Sequence, residues 1–245
     1  MGSIRLPGKI LMNINGVTLL QCQFQQLAHS VILDDIILAT TINSEDNAIV
    51  DFADANSIKV FRGNSSDVLD RYYQCAKHFS LDHIVRITSD CPLIDPTIVD
   101  RTIDLYKTGK FDYVNNFHDD AYPSGTDVEV FSMSTLEKTW KNTIKSSERE
   151  HVTPYIYNNP KLFSLGYLKN DVDVSDLHYS VDRKEDLQLV RLLYKKIPKR
   201  PILLGDIINA VKDDPTLLEI NKNTSPKEGY LKSLENDKTD SDKTT

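Results

Sequence analysis

The chain of 245 residues is poor in the patterns that carry most thiol, metal and hydrolase chemistry. Its three cysteines, Cys22, Cys75 and Cys91, are scattered and form no CxxC pair. That argues against a disulfide framework and a thiolate zinc site, and fits a reducing cytoplasm. The histidines (His29, His78, His83, His118, His151 and His178) show no HExxH spacing, and no GxSxG elbow is present. No apolar run reaches the roughly eighteen residues of a transmembrane helix. No charged-then-apolar leader opens the chain, so no secretory signal is expected. Internal repeats are lacking. A basic excess is lacking too: 29 Lys and Arg against 36 Asp and Glu leave a net charge of -7. A nucleic-acid surface is therefore not expected, whereas a local basic pocket for an anionic small substrate is compatible with an acidic whole.

What is present is a regular alternation. "DDIILATT" (34–41), "IKVFRG" (58–63), "DHIVRITSDCPLI" (82–94) and "DYVNN" (112–116) read as buried strands. Between them, 44–57, 66–79 and 96–109 have helical apolar spacing, with Ser44 as an N-cap and Pro96 near a first turn. Strand and helix in alternation predict an α/β fold, a mostly parallel Rossmann-like sheet with helices on both faces. Ligands of such sheets bind at the carboxyl ends of the strands. The pattern changes at about 120–175, which reads as an inserted arm: a half-exposed strand "GTDVEVFS" (125–132), helices at 134–144 and 147–159, and a strand at 161–168. "LHYSVD" (177–182) and 184–197 return to strand and helix, and 205–221 holds two short helices. The domain is expected over 1–222, followed by a polar tail, 223–245, disordered from about Glu235.

Four stretches carry candidate chemistry. In "GSIRLPGK", Gly2, Ser3 and Gly8 allow close backbone approach to phosphate, Arg5 offers a fork and Lys9 a point charge. Ile10 after the lysine excludes the GxxxxGK[ST] loop. A solvated terminal Arg–Lys pair is the plain alternative. In "RITSDCPLID", Asp90 ends a strand beside Thr88 and Ser89, where a carboxylate can hold Mg²⁺ against phosphate oxygens, or simply turn a loop. In "YSVDRKEDL", Asp182 ends another short strand, with Asp186 just inside a helix; Glu185 is an ordinary first-turn acid. In "SEREHVTPY", Ser147 and Glu150 have capping-box spacing, while Arg149 and His151 face an acidic substrate, plain solvent or a subunit contact.

These segments occur in an order that resembles a known family. "MGSIRLPGK", "VFRGNSSDVLDRYYQCAK", "VRITSDCPLIDPTIVD", "DVEVF", "SEREHVTPYIY" and "SVDRKEDLQLV" look like the cytidylyltransferases of acidic sugars, including acylneuraminate and 3-deoxy-manno-octulosonate cytidylyltransferases. The nearest branch is the spore coat polysaccharide biosynthesis protein F group. The resemblance implies a sugar-nucleotidyltransferase (GT-A-like) fold, a cytoplasmic homodimer, and transfer of CMP from CTP to a sugar acid with release of pyrophosphate. It implies nucleotide contacts at Gly2, Ser3, Arg5, Lys9 and Ser66, with Arg5 and Lys9 catalytic. It implies Mg²⁺ on Asp90 and Asp182, and a sugar-facing set of Asp127, Glu129, Arg149 and His151.

Two departures from the family stand out. Relatives carry a strand ending in "QAR" ahead of the basic loop, in the middle of the sheet. Without it two sheet edges would go unpaired, so the protein is expected to begin about a dozen residues upstream of Met1, one strand's length. Relatives also commonly have arginine where His178 stands. Two rival readings are a glycosyltransferase using the Asp-x-Asp of "DVDVSD" (171–176) and an inactive truncated remnant.

Overall fold

Apolar and capped amphipathic runs alternate in the computed structural model, which describes residues 1–118, 121–170, 172–174, 176–225 and 228–242. In chain order these are β1 (Asn13–Ile14), β2 (Val17–Thr18), α1 (Leu19–Leu27), β3 (Ile37–Thr41), α2 (Asn47–Ala55), β4 (Lys59–Gly63), α3 (Val68–His78), β5 (His83–Arg86), α4 (Pro96–Lys107), β6 (Tyr113–Asn115) and β7 (Glu129–Ser132). There follow α5 (Met133–Asn142), α6 (Ser146–His151), α7 (Pro154–Tyr157), β8 (Leu165–Tyr167), α8 (Lys184–Lys196), α9 (Leu204–Asp213) and α10 (Glu228–Asp242).

Local chemistry explains the boundaries. Asn15 and Gly16, both at positive φ, turn the β1–β2 hairpin, as an Asn-Gly pair does at least steric cost. Thr18 then caps α1 by accepting from the Gln21 amide at 3.1 Å. Asp67 and Asp95 cap α3 and α4 in the same way, and Pro96 opens α4. Ser44 does not cap α2. It starts a short 3-10 turn, and the buried Asp46 that ends this turn accepts from Thr40 Oγ1 and Thr41 Oγ1 at the end of β3.

The sheet is mixed. Its four-stranded part runs β5-β7-β6-β8, with β7 antiparallel to both neighbours and β6 parallel to β8. β3 and β4 form a separate parallel pair. The 125–132 stretch is therefore not a half-exposed strand of an arm: Glu129, Val130 and Phe131 are buried in the middle of the sheet. Alternating charge misleads here because Glu129 lies directly across from Arg86 on β5 and pairs with it. The 177–182 stretch is not a strand either, only an isolated bridge from His178 to Ser124. Helix 147–159 is broken at Val152, whose φ is 74°. Of the tail, residues to Asp242 form α10 where disorder is expected from about Glu235; 243–245 lie outside the described residues.

Between the facing edges of β3 and β5 lies a cavity of about 720 Å³, lined by Ile37, Ala39, Ile84, Val85, Phe24 and Tyr72 among others. Among the described residues neither edge has a strand partner on that side. The β3–β4 pair is thus held to the larger sheet by helices rather than by a continuous ladder. No helix among the described residues is long and apolar enough to cross a membrane.

Candidate active site

The carboxyl end of β5 leads into a loop that the interior holds at several points. Gln23, buried on α1, donates to the carbonyls of Thr88 (2.6 Å) and Cys91 (3.3 Å). Gln26, one turn on, donates to Ile94 and Ile202. The Asp90 carbonyl accepts from the Val181 amide at 2.8 Å. Two segments ninety residues apart in the chain are thereby fixed side by side, which brings Asp90 and Asp182 to one place.

Asp182 is held by Asp186. The Asp186 carboxylate accepts from the Asp182 and Arg183 amides at 3.0 and 2.8 Å, and its other oxygen accepts from Asn221 and Thr224 and meets His178. Burial alone would raise the Asp186 pKa; these hydrogen bonds outweigh it and hold the group ionised well below the usual carboxylate range. Nearby, Gly125 has φ of 111° and packs so closely that a Cβ would lie 2.8 Å from the Ser180 amide. Only glycine fits that turn.

The basic loop reaches this pair of aspartates. Gly8, in the left-handed conformation at φ 70°, precedes the 3-10 turn that carries Lys9. Lys9 Nζ stands 2.9 Å from Asp182 Oδ1 and 3.2 Å from Asp90 Oδ2. Arg5 pairs with the other oxygen of Asp182 at 2.8 Å. Burial would lower the Lys9 pKa, but the two carboxylates more than compensate and raise it. Asp90 moves down for the reciprocal reason: burial would raise it, and Lys9 and Thr88 prevail. Two acids and two bases thus share one partly buried cluster. Among the described residues no three His, Cys, Asp or Glu side chains gather as a metal cage.

Other expected site residues fall in different places. Ser3 Oγ accepts from the Leu6 amide and shapes the loop, and Gly2 is exposed beside Glu45. Ser66 is bound into a turn around Asn64. Asp127 accepts from Ser124 Oγ and the Gly125 amide. Burial, with the negative charges of Asp90 and Glu129, pushes its pKa up to about 6. Glu129 must be corrected. It is 2% exposed, and its carboxylate is filled by Tyr113, Thr153 and Arg86, so it is a core ion pair rather than a substrate contact. Arg149 is likewise engaged in packing: it clamps Asp67 at the N-terminus of α3 at 2.7 Å and donates to the carbonyls of Trp140 and Thr143. His151 lies under α10, 3.0 Å from Ser233 Oγ and edge-on to Tyr230. Ser147 does not cap α6; it sits inside that helix and bonds Asp237 of α10. Asp171 of the rival Asp-x-Asp motif lies outside the described residues.

Gln23, Glu228 and Arg183 are site neighbours that pattern reading missed. Gln23 has the only legible signal, a polar residue on the buried face of α1.

Comparison with known proteins gives the family and the fold. A family model described as cytidylyltransferase matches residues 1–222. An uncharacterized protein of Methanocaldococcus jannaschii is 38% identical over 228 residues, 92% of this chain and 93% of that protein. The spore coat polysaccharide biosynthesis protein SpsF of Bacillus subtilis is 28% identical over 223 residues, 88% of this chain and 92% of that one. A solved cytidylyltransferase from Leptospira borgpetersenii superposes with a TM-score of 0.86 at 32% identity, covering 92% of this chain and 94% of its own.

Proposed function

Given that the chain belongs to the cytidylyltransferase family, we propose that it transfers CMP from CTP to an acidic sugar and releases pyrophosphate. The observation that carries this reading is the position of Lys9, between Asp90 and Asp182 and beside Arg5. A cationic loop and a pair of carboxylates at the carboxyl edge of an α/β sheet suit a charged triphosphate.

The donor set fits Mg²⁺. Two carboxylates converge on one positive charge, that of the Lys9 ammonium. Mg²⁺ takes one or two protein carboxylates and leaves its other positions to phosphate oxygens and water. Asp90 and Asp182 would hold it, and when bound it would neutralise phosphate charge. The protein's own residues supply the rest. The sugar hydroxyl attacks the α-phosphorus and gives up its proton to solvent, an O–P bond forms, and the bond to the bridging β-phosphate oxygen breaks with its electron pair leaving on pyrophosphate. Arg5 and Lys9 stabilise that departing charge, which is electrostatic catalysis by preorganised groups. Asp186 and Gln23 keep the two aspartates in place. Asp127, beside Asp90, remains on the sugar side. On this reading the protein is a cytoplasmic homodimer.

Pyrophosphate release from each nucleoside triphosphate, with Mg²⁺ and a panel of sialic and other ulosonic acids, tests the proposal. CTP-selective release that requires a sugar acid is expected. Release driven by neutral sugars, or by another triphosphate in preference to CTP, would overturn it.

A further inference from the structure

Glu228, in the first turn of α10, is held by two guanidiniums from separate parts of the chain. Arg183 Nη2 donates to both its carboxylate oxygens at 2.9 and 2.8 Å, and Arg5 Nη1 lies 3.4 Å from one of them. Arg5 also pairs with Asp182, so the Glu228 carboxylate sits at the rim of the same charged cluster. Planar guanidiniums offer paired donors matched to carboxylate and phosphate alike.

We propose that Arg183 is a second phosphate-binding residue of the site, and that Glu228 occupies its anion position until a phosphate of the substrate or of departing pyrophosphate displaces it. The inference rests on the reading of Arg5 as a phosphate ligand. Three observations favour displacement. The pair is weak, because Arg183 and Glu228 are 43% and 44% exposed, and exposed ion pairs contribute little net stability. Glu228 brings one negative charge where a phosphate chain brings several. And α10, which carries the occupying carboxylate, lies beyond residues 1–222 that the family model matches, whereas Arg183 lies within them. α10 is seated on α6 by polar contacts, Asp237 with Ser147 and Ser233 with Glu150 and His151, so its first turn can yield while the rest stays docked.

The test is calorimetric binding of inorganic pyrophosphate, with neither CTP nor sugar present, to the wild-type chain, Arg183→Gln, Glu228→Gln and the double variant. Arg183→Gln should weaken binding about tenfold, the scale of a charged hydrogen-bonded contact. Glu228→Gln should tighten it severalfold, and should do so less in the double variant, because the two residues share one site. Thermal melts check that each variant folds; both side chains are exposed enough for substitution to leave the core untouched. Unchanged affinity in Arg183→Gln, or weaker binding in Glu228→Gln, would overturn the proposal and leave an ordinary surface ion pair. Because the readout is pyrophosphate affinity, it can succeed where CMP transfer fails, and fail where CMP transfer succeeds.

Discussion

The Nζ of Lys9 lies 2.9 Å from Oδ1 of Asp182, a contact that spans 173 residues of sequence. It ties the first turn of the chain to the segment before α8, and the same ammonium reaches Asp90. Lys9→Met should therefore lower the rate of pyrophosphate release by about a hundredfold, the scale of losing one preorganised charge at a transition state. Steady-state kinetics would show the loss mainly in kcat if Lys9 serves the leaving group. A change confined to KM would assign it to ground-state binding alone.

Metal removal gives a second expectation. Chelation should abolish turnover, and added Mg²⁺ should restore it. Asp90→Asn and Asp182→Asn should each shift the Mg²⁺ dependence to higher concentration, because each removes one of two carboxylates. Full activity in chelator would exclude the metal role of both residues.

Asp127 makes the protein's stability depend on pH. Its folded pKa of about 6 lies above the ordinary value of 3.8, first because of burial and then because of Asp90 and Glu129. The native state therefore binds more protons than the unfolded chain between these values, and stability falls as pH rises through that window. The full contribution is on the order of 3 kcal/mol. Asp127→Asn should remove this slope and raise the melting temperature at pH 7, as a melt series from pH 4 to 8 would show (a flat difference between the two proteins across that series would refute it).

The Arg86–Glu129 pair is a core device, and its loss should appear in stability. Glu129→Gln leaves a buried guanidinium without its counter-charge and should cost about 3–5 kcal/mol. Replacing both partners together, Arg86→Met with Glu129→Leu, should recover much of that loss. Chemical denaturation of the three variants would measure it. Equal stability of Glu129→Gln and wild type would show that the pair does not hold the core.

Much of the frame was legible in the sequence. α3, α4 and α8 follow their apolar spacing and caps, and β3 and β4 are bounded apolar runs. The places of Lys9 and Asp90 were legible as well, from a small-residue loop and a strand end, whereas Asp182 follows no strand and is brought to them by the hydrogen bond from the Val181 amide to the Asp90 carbonyl. What misled was charge whose partner is distant in sequence. Glu129 reads as solvent-facing because Arg86 lies 43 residues away, and Arg149 reads as substrate-facing because Asp67 lies 82 residues away. Polarity likewise hid α10, whose docking rests on hydrogen bonds to α6 rather than on an apolar stripe. Glu228 leaves no local trace of its role, and Gln23 only its polarity on the buried face of α1, because both depend on which loop ends up opposite them.

The cleft between β3 and β5 sets where amide exchange with solvent begins. Ile37 and Ala39 line one wall and Ile84 and Val85 the other, and the cleft is open, so water reaches both strands. Among the described residues neither strand has a ladder partner on that side. Backbone amides that point into the cleft should therefore exchange early, and those inside the β6–β7 ladder late, because local opening is cheapest where no hydrogen bond has to break.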